Sequence, residues 1–205
     1  HRGCDFGCDS ENRATAIRRI APRAFGSMEC QTLTKYGQVD RISFMPEFAH
    51  RFTVDAPIEA VAAFHRDTRV LKQLTPLPIV VRVHRFEPLA DGSRAEFTLW
   101  FGPLPLRWEA VHSDVGPNGF TDTQVRGPLR AWQHRHRFTA LGPTRTRVDD
   151  HIVYSHDRGA QGVLSRLLFA RPGLLYLFTA RQWLTRRGVA RLLAERQAGG
   201  MGEPD

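Results

Sequence analysis

From residue 45 onward, apolar and polar positions alternate with a period of two in stretch after stretch. Toward the C-terminus the period lengthens to that of a helix. EFAHRFTVDAP (residues 47–57) predicts a strand with Phe48, His50, Phe52 and Val54 on one face, because successive strand side chains point to opposite sides. Asp55 is suited to cap the next element and Pro57 to enter its first turn. IEAVAAFH (58–65) predicts a short amphipathic helix, and DTRVLKQLTP (67–76) a second one, stopped where Thr75 precedes Pro76. Six strand-like runs follow: IVVRVHRFE (79–87), SRAEFTLWF (93–101), LRWEAVHSDV (106–115), FTDTQVRG (120–127), the core of GPLRAWQHRHRFTA (127–140) and TRVDDHIVYSH (146–156). The links between them carry turn chemistry, as in Asp91-Gly92, Asn118-Gly119 and Gly142-Pro143. Consecutive strands with short links predict an antiparallel meander.

Beyond the strands, Leu164, Leu167, Leu168, Leu174, Leu177, Phe178 and Leu184 recur at helical spacing. Pro172-Gly173 splits or kinks this segment, so the long helix begins near Pro172 and fades by Ala198. The layout is strand, two short helices, six strands and a long helix. It predicts an α+β fold of about six to seven strands, with the long apolar helix laid into the concave face of a curved sheet.

The domain is therefore expected over residues 45–198, with residues 1–44 as a poorly ordered extension and 199–205 as a flexible tail. Residues 1–44 read as a tail, a leader or sequence upstream of the true start, with one faintly helical run at 11–21. Cys4, Cys8 and Cys30 all fall there, and three cysteines at that spacing make no zinc pattern. The net charge of +8 comes almost wholly from arginine, since Lys35 and Lys72 are the only lysines. The arginines are scattered, which does not suggest a nucleic-acid surface. No apolar run reaches 18 residues and no apolar leader core is visible, so a cytoplasmic protein without a membrane span is expected. A nucleotide-binding loop, Gly-x-Ser-x-Gly, His-Glu-x-x-His and a cysteine nucleophile are all missing from the strand-and-helix region.

Within 127–140 one strand face carries Gln133, Arg135 and Arg137, suited to water. The other carries Trp132, His134, His136 and Phe138. A three-residue loop at Gly127-Pro128-Leu129 sets Arg126 opposite Arg130, Gln124 opposite Trp132, Asp122 opposite His134 and Phe120 opposite His136. A comparable loop at Gly142-Pro143-Thr144 sets Phe138 by Val148, His136 by Asp150, His134 by Ile152 and Trp132 by Tyr154. Both registers place apolar beside apolar and each histidine beside a carboxylate, an agreement that a slip of one residue destroys.

The pattern F-x-D-x-Q-x-x-G-P-x-x-x-W-x-H-x-H-x-F over 120–138, with LPLRWEAVH (104–112), VDDHIVY (148–154) and the helix from Phe178 to Arg181, resembles the START-like, Bet v 1-like superfamily. The resemblance is strongest to its bacterial SRPBCC members of polyketide cyclase/dehydratase type. It covers about residues 46–190 and departs at SHDRGAQG (155–162). It implies a helix-grip fold with a cavity between the sheet and the last helix. The strand registers then give the wall of that cavity: Trp132, His134, His136 and Phe138, flanked by Asp122, Gln124, Asp150, Ile152 and Tyr154. Trp108, Ala110 and His112 extend it, and Phe178 and Arg181 face it from the helix. Arg181 needs a partner there, and Asp150 or Asp122 is the natural one.

Each of these residues admits a plainer role. The aromatics can simply fill the core. His134 and His136, with Asp122 and Asp150, can be a structural network, ligand contacts or acid–base groups. Removing His136 is expected to change such behaviour more than removing His112, which lies outside the paired strands. A His-x-His strand pair can chelate a metal, but no clear third and fourth ligand stands out beyond His112 or the acids, so neither metal nor cofactor is assigned. Three functions follow in order: a binding module for a hydrophobic or amphipathic small molecule (lipid, polyketide or aromatic), a cyclase or dehydratase using a His–Asp pair, and an interaction protein using its basic surface. The last would rest on Arg181, Arg186, Arg187, Arg191 and Arg196.

Overall fold

The computed structural model describes residues 45–67 and 69–200. The reading of residues 1–44 as a poorly ordered extension, and most of the C-terminal tail, lie outside them. Seven strands form one antiparallel sheet: β1 (Glu47–Val54), β2 (Ile79–Phe86), β3 (Arg94–Phe101), β4 (Leu104–Gly116), β5 (Gly119–Arg126), β6 (Ala131–Gly142) and β7 (Arg145–Ser155). Their order, β1-β7-β6-β5-β4-β3-β2, is the expected meander with β1 added beside β7 and the sheet left open between β1 and β2. Bulges near His84, Val125 and Leu141 bend the strands, since an extra residue on one strand of a pair increases local twist.

Between β1 and β2 run α1 (Ile58–Arg66) and α2 (Val70–Gln73). Pro57, rather than Asp55, precedes the first turn of α1, and no side chain caps it. The second helix is a single turn, shorter than the 67–76 run predicts, and just before it Asp67 accepts from the backbone N–H of Arg69 at 2.8 Å. At the other end, α3 (Gly159–Phe169) and α4 (Arg171–Gly200) are separated at Ala170 by an extended residue and bent by 45°. Pro172 thus sits in the first turn of α4, where its missing N–H costs no helical hydrogen bond. The arrangement is the helix-grip fold expected from the sequence. No single helix among the described residues is long and apolar enough to cross a membrane.

The core has two parts. One gathers Phe48, Phe97, Trp108, Trp132, Ile152, Phe169, Leu174 and Phe178. The other gathers Phe52, Phe64, Phe120, Phe138, Val148 and Val189 beneath α1 and the far half of α4. Each long strand crosses from one cluster to the other. The residues at the crossing are polar.

Candidate functional site

At that crossing the register sets His50 on β1 opposite Asp150 on β7, Asp150 opposite His136 on β6, His134 opposite Asp122 on β5, and Asp122 opposite His112 on β4. A belt of ionisable side chains therefore spans five strands on the concave face. The central β5–β6 and β6–β7 pairings are those expected from the sequence. The hairpin ends differ. The β5–β6 ladder stops at Thr123 and Gln133, so the pairings of Gln124 with Trp132 and Arg126 with Arg130 do not form. There β5 bulges at Val125, Leu129 turns into the core, and the Gln124 amide donates to the Leu129 carbonyl at 2.7 Å. At the other hairpin Gly142 faces Arg145, and a bulge at Leu141 restores the expected pairing of Ala140 with Thr146 onward.

The side chains bond along diagonals rather than strictly across the strands. His134 Nε2 donates to Asp150 Oδ1 at 3.0 Å, and His136 Nε2 donates to Asp122 Oδ2 at 3.2 Å. His136 Nδ1 also lies 2.9 Å from Asp150 Oδ1, off the line a hydrogen bond requires, so that contact is ionic. His112 Nε2 lies 3.0 Å from Asp122 Oδ1, while its Nδ1 lies 2.9 Å from Ser93 Oγ and 3.1 Å from the Ser93 carbonyl oxygen. His112 is accordingly a member of the network. It is not the outside control the sequence suggested.

His134 and His136 are 2% and 9% exposed, and their rings are 3.9 Å apart between centroids. Two imidazoles so close in a dry site do not both carry a proton readily. Burial opposes the charge on His136, but the two carboxylates outweigh it and raise its pKa to about 9. Burial, then the charge on His136, lowers His134 to about 4. Burial pushes Asp122 and Asp150 upward, yet their histidine partners win and hold both well below the usual carboxylate range. At neutral pH the belt thus holds two carboxylates around one imidazolium, beside a neutral His134.

Above the belt lies a cavity of about 120 Å³. Trp108, Ala110, His112, Asp122, Trp132, His134, His136 and Arg181 line it, all of them anticipated from the sequence. Asp150, Phe138, Ile152, Tyr154, Phe178 and Gln124 do not. Asp150 sits behind the two histidines it contacts, and Phe138 packs 4.9 Å from His65 between ring centroids. Ile152, Tyr154 and Phe178 belong to the core behind the wall, with Phe178 edge-on to His134 at 5.2 Å.

Other wall residues were not singled out in the sequence: Leu71 in α2 and Leu74 at its end, Phe97 on β3, Phe169 on α3 and His65 on α1. His65 ends the apolar run IEAVAAFH one turn after Val61, whose carbonyl its Nδ1 meets at 2.8 Å. Its position on the apolar stripe of that helix was the available signal. Burial, then the nearby charge of His136, lowers its pKa to about 4.

Arg181 also departs from expectation. Among the described residues no carboxylate approaches it within 4.0 Å, and its Nε is shut off from water without a hydrogen-bond partner. Asp122 and Asp150 are occupied by histidines instead. Its guanidinium stands 5.3 Å from the Phe178 ring centroid, and burial pulls its pKa below the usual arginine value. Arg186, Arg187, Arg191 and Arg196 are exposed on α4, so the basic patch proceeds without its first member.

Asp122, His134 and His136 can each offer one ligand atom, all within 4.8 Å of one another, to a metal ion. A metal there would have to displace the proton on His136 that two carboxylates hold in place.

No family model matches the chain, and no curated protein sequence matches it. Solved structures do. An aromatase/cyclase from a Streptomyces species superposes with a TM-score of 0.59 at 16% identity, covering 73% of this chain and 96% of that one. A Thermus thermophilus protein gives 0.58 at 18% identity over 72% and 99% of the two chains. A START superfamily protein from Mycobacterium smegmatis gives 0.53 at 14% identity over 69% and 97%. These likenesses show a START-like fold.

Proposed function

We propose that the protein binds a hydrophobic or amphipathic small molecule, of lipid, polyketide or aromatic type, in the cavity between the sheet and α4. The observation that carries this reading is the wall itself: aromatic and aliphatic side chains for the most part, with a few polar groups converging from β4, β5, β6 and α4. Sites for small molecules have that composition. The fold neighbours support it, since one is an aromatase/cyclase and another a START superfamily protein. A cytoplasmic location goes with this reading.

Native mass spectrometry of protein purified from its source, together with titration of an environment-sensitive dye, tests it. The expected result is a co-purified hydrophobic compound that competes with the dye. A protein that carries nothing and takes up no dye overturns the reading.

A second reading, acid–base chemistry of cyclase or dehydratase type, draws on one observation. His134 is neutral, and with Nε2 given to Asp150 its Nδ1 lone pair has no partner among the described residues. Against it, His136 has both ring nitrogens committed to carboxylates. A His134→Gln variant that binds ligand normally but loses turnover would favour catalysis over carriage.

A further inference from the structure

The inward stripe of α4 runs Leu174, Phe178, Arg181, Thr185 and Val189 at steps of three and four residues. Four of these are apolar or small and fully buried, as a helix face against a sheet requires. The fifth is a cation. It lines the cavity, its Nε is sealed from water, and it has neither hydrogen bond nor ion pair among the described residues. The residue as a whole is half-buried, and a charge partly withdrawn from water without a counter-charge is costly.

The two nearby acids do not supply the missing partner. Asp122 gives one oxygen to His112 and the other to His136, and Asp150 takes His134 and the close contact of His136. The imidazolium between them offsets their charge, so an incoming anion does not meet a bare pair of carboxylates. A planar guanidinium matches a carboxylate through two parallel hydrogen bonds.

The cavity also limits size. An apolar cavity of about 150 Å³ accommodates benzene, and the cavity here measures about 120 Å³. That leaves room for one ring or a chain of similar bulk. Phe97 and Trp108 stack at 6.0 Å, and Phe169 meets Trp108 at 5.9 Å with its ring tilted by 55°, which gives the wall an aromatic corner.

Resting on the ligand-binding reading above, we propose that the occupant is a small apolar carboxylic acid. Its carboxylate pairs with Arg181, and its single ring or short chain lies among Phe97, Trp108 and Phe169.

Phenylacetate and phenylacetamide have the same shape and differ in charge, so calorimetric titration of the full chain with each isolates the anion. The wild type is expected to bind the acid about tenfold more tightly than the amide, as a charge-assisted pair would give. Arg181→Met, of similar length, should lose that preference while still taking the amide, and Arg181→Lys should keep part of it. Decanoate should bind more weakly than phenylacetate. Equal binding of acid and amide by the wild type, or a preference that survives Arg181→Met, overturns the carboxylate inference and leaves the cavity reading intact. Tighter binding of decanoate overturns the size limit. If neither compound nor an environment-sensitive dye binds, the cavity reading itself fails. The wild-type comparison stands even where a variant does not fold.

Discussion

His112 on β4 and Asp122 on β5 are register partners whose side chains also meet, Nε2 to Oδ1, at 3.0 Å. Because the other oxygen of Asp122 takes His136, this one carboxylate fastens three neighbouring strands across their buried face. The belt is thereby a structural tie as well as one wall of the cavity.

Removing His112 should therefore be felt. His112→Ala leaves Asp122 Oδ1 without its imidazole partner at a partly buried site, and the expected loss is about 1–3 kcal/mol in urea denaturation. Unchanged stability would mean that His136 alone holds Asp122.

The belt should also shape stability against pH. His136 is faced by Asp122 from β5, Asp150 from β7, its strand neighbour His134 and His65 from α1, while Arg181 from α4 shares the cavity wall. Its pKa is raised to about 9, so its contribution is complete below the unfolded value of about 6.5 and is lost as pH climbs through 9. His134 and His65, lowered to about 4, act in the opposite sense: their contribution is present above about 6.5 and lost as pH falls through 4. Asp122 and Asp150, held below the usual carboxylate range, add stability above about pH 4 that disappears in acid. Calorimetry from pH 4 to pH 10 should find the highest unfolding temperature near pH 6.5. His136→Gln should be less stable throughout the neutral range and lose the alkaline decline. A wild-type profile that stays level between pH 6.5 and pH 9 would contradict this assignment.

Ala110 is 5% exposed and lines the cavity beside Trp108 and His112. Ala110→Trp should fill the space, weaken dye uptake about tenfold or more, and cost about 1–3 kcal/mol through overpacking. Fluorescence titration measures the first effect and thermal melting the second. Undiminished uptake would show that the dye binds elsewhere.

Gly188 on α4 lies against the Phe64 ring of α1 so closely that a Cβ would overlap it. Gly188→Ala should force the two helices apart and destabilise the protein by about 1–3 kcal/mol, against the gain alanine normally brings inside a helix. A more stable variant would mean that the Phe64 ring turns away at little cost.

The fragment from Met45 to Ala198 contains both core clusters and is expected to fold by itself. Circular dichroism with a cooperative thermal transition checks this. An aggregated or non-cooperative fragment would show that residues 1–44 contribute to the fold.

The sequence by itself determined the strand faces and most of the registers. Trp132, His134, His136 and Phe138 alternate with polar residues, and one pairing sets Trp132 by Tyr154, Phe138 by Val148, His136 by Asp150 and His134 by Asp122. Period and turn chemistry are local properties, so they can be read along the chain. The same holds for Arg181, whose helical spacing from Phe178 and Leu184 already turned it inward. Tertiary structure decided the rest. The pairing of β1 with β7 joins residues about a hundred positions apart, which only the folded sheet brings together. That His134 and His136 bond the acids diagonal to them, that His112 shares Asp122, and that His65 reaches His136 from a helix depend on twist and side-chain direction, which hydrophobic pattern does not encode. With both carboxylates claimed by imidazoles, Arg181 faces the cavity without an ion-pair partner among the described residues. That outcome follows from competition among side chains drawn from five elements, which no single segment contains.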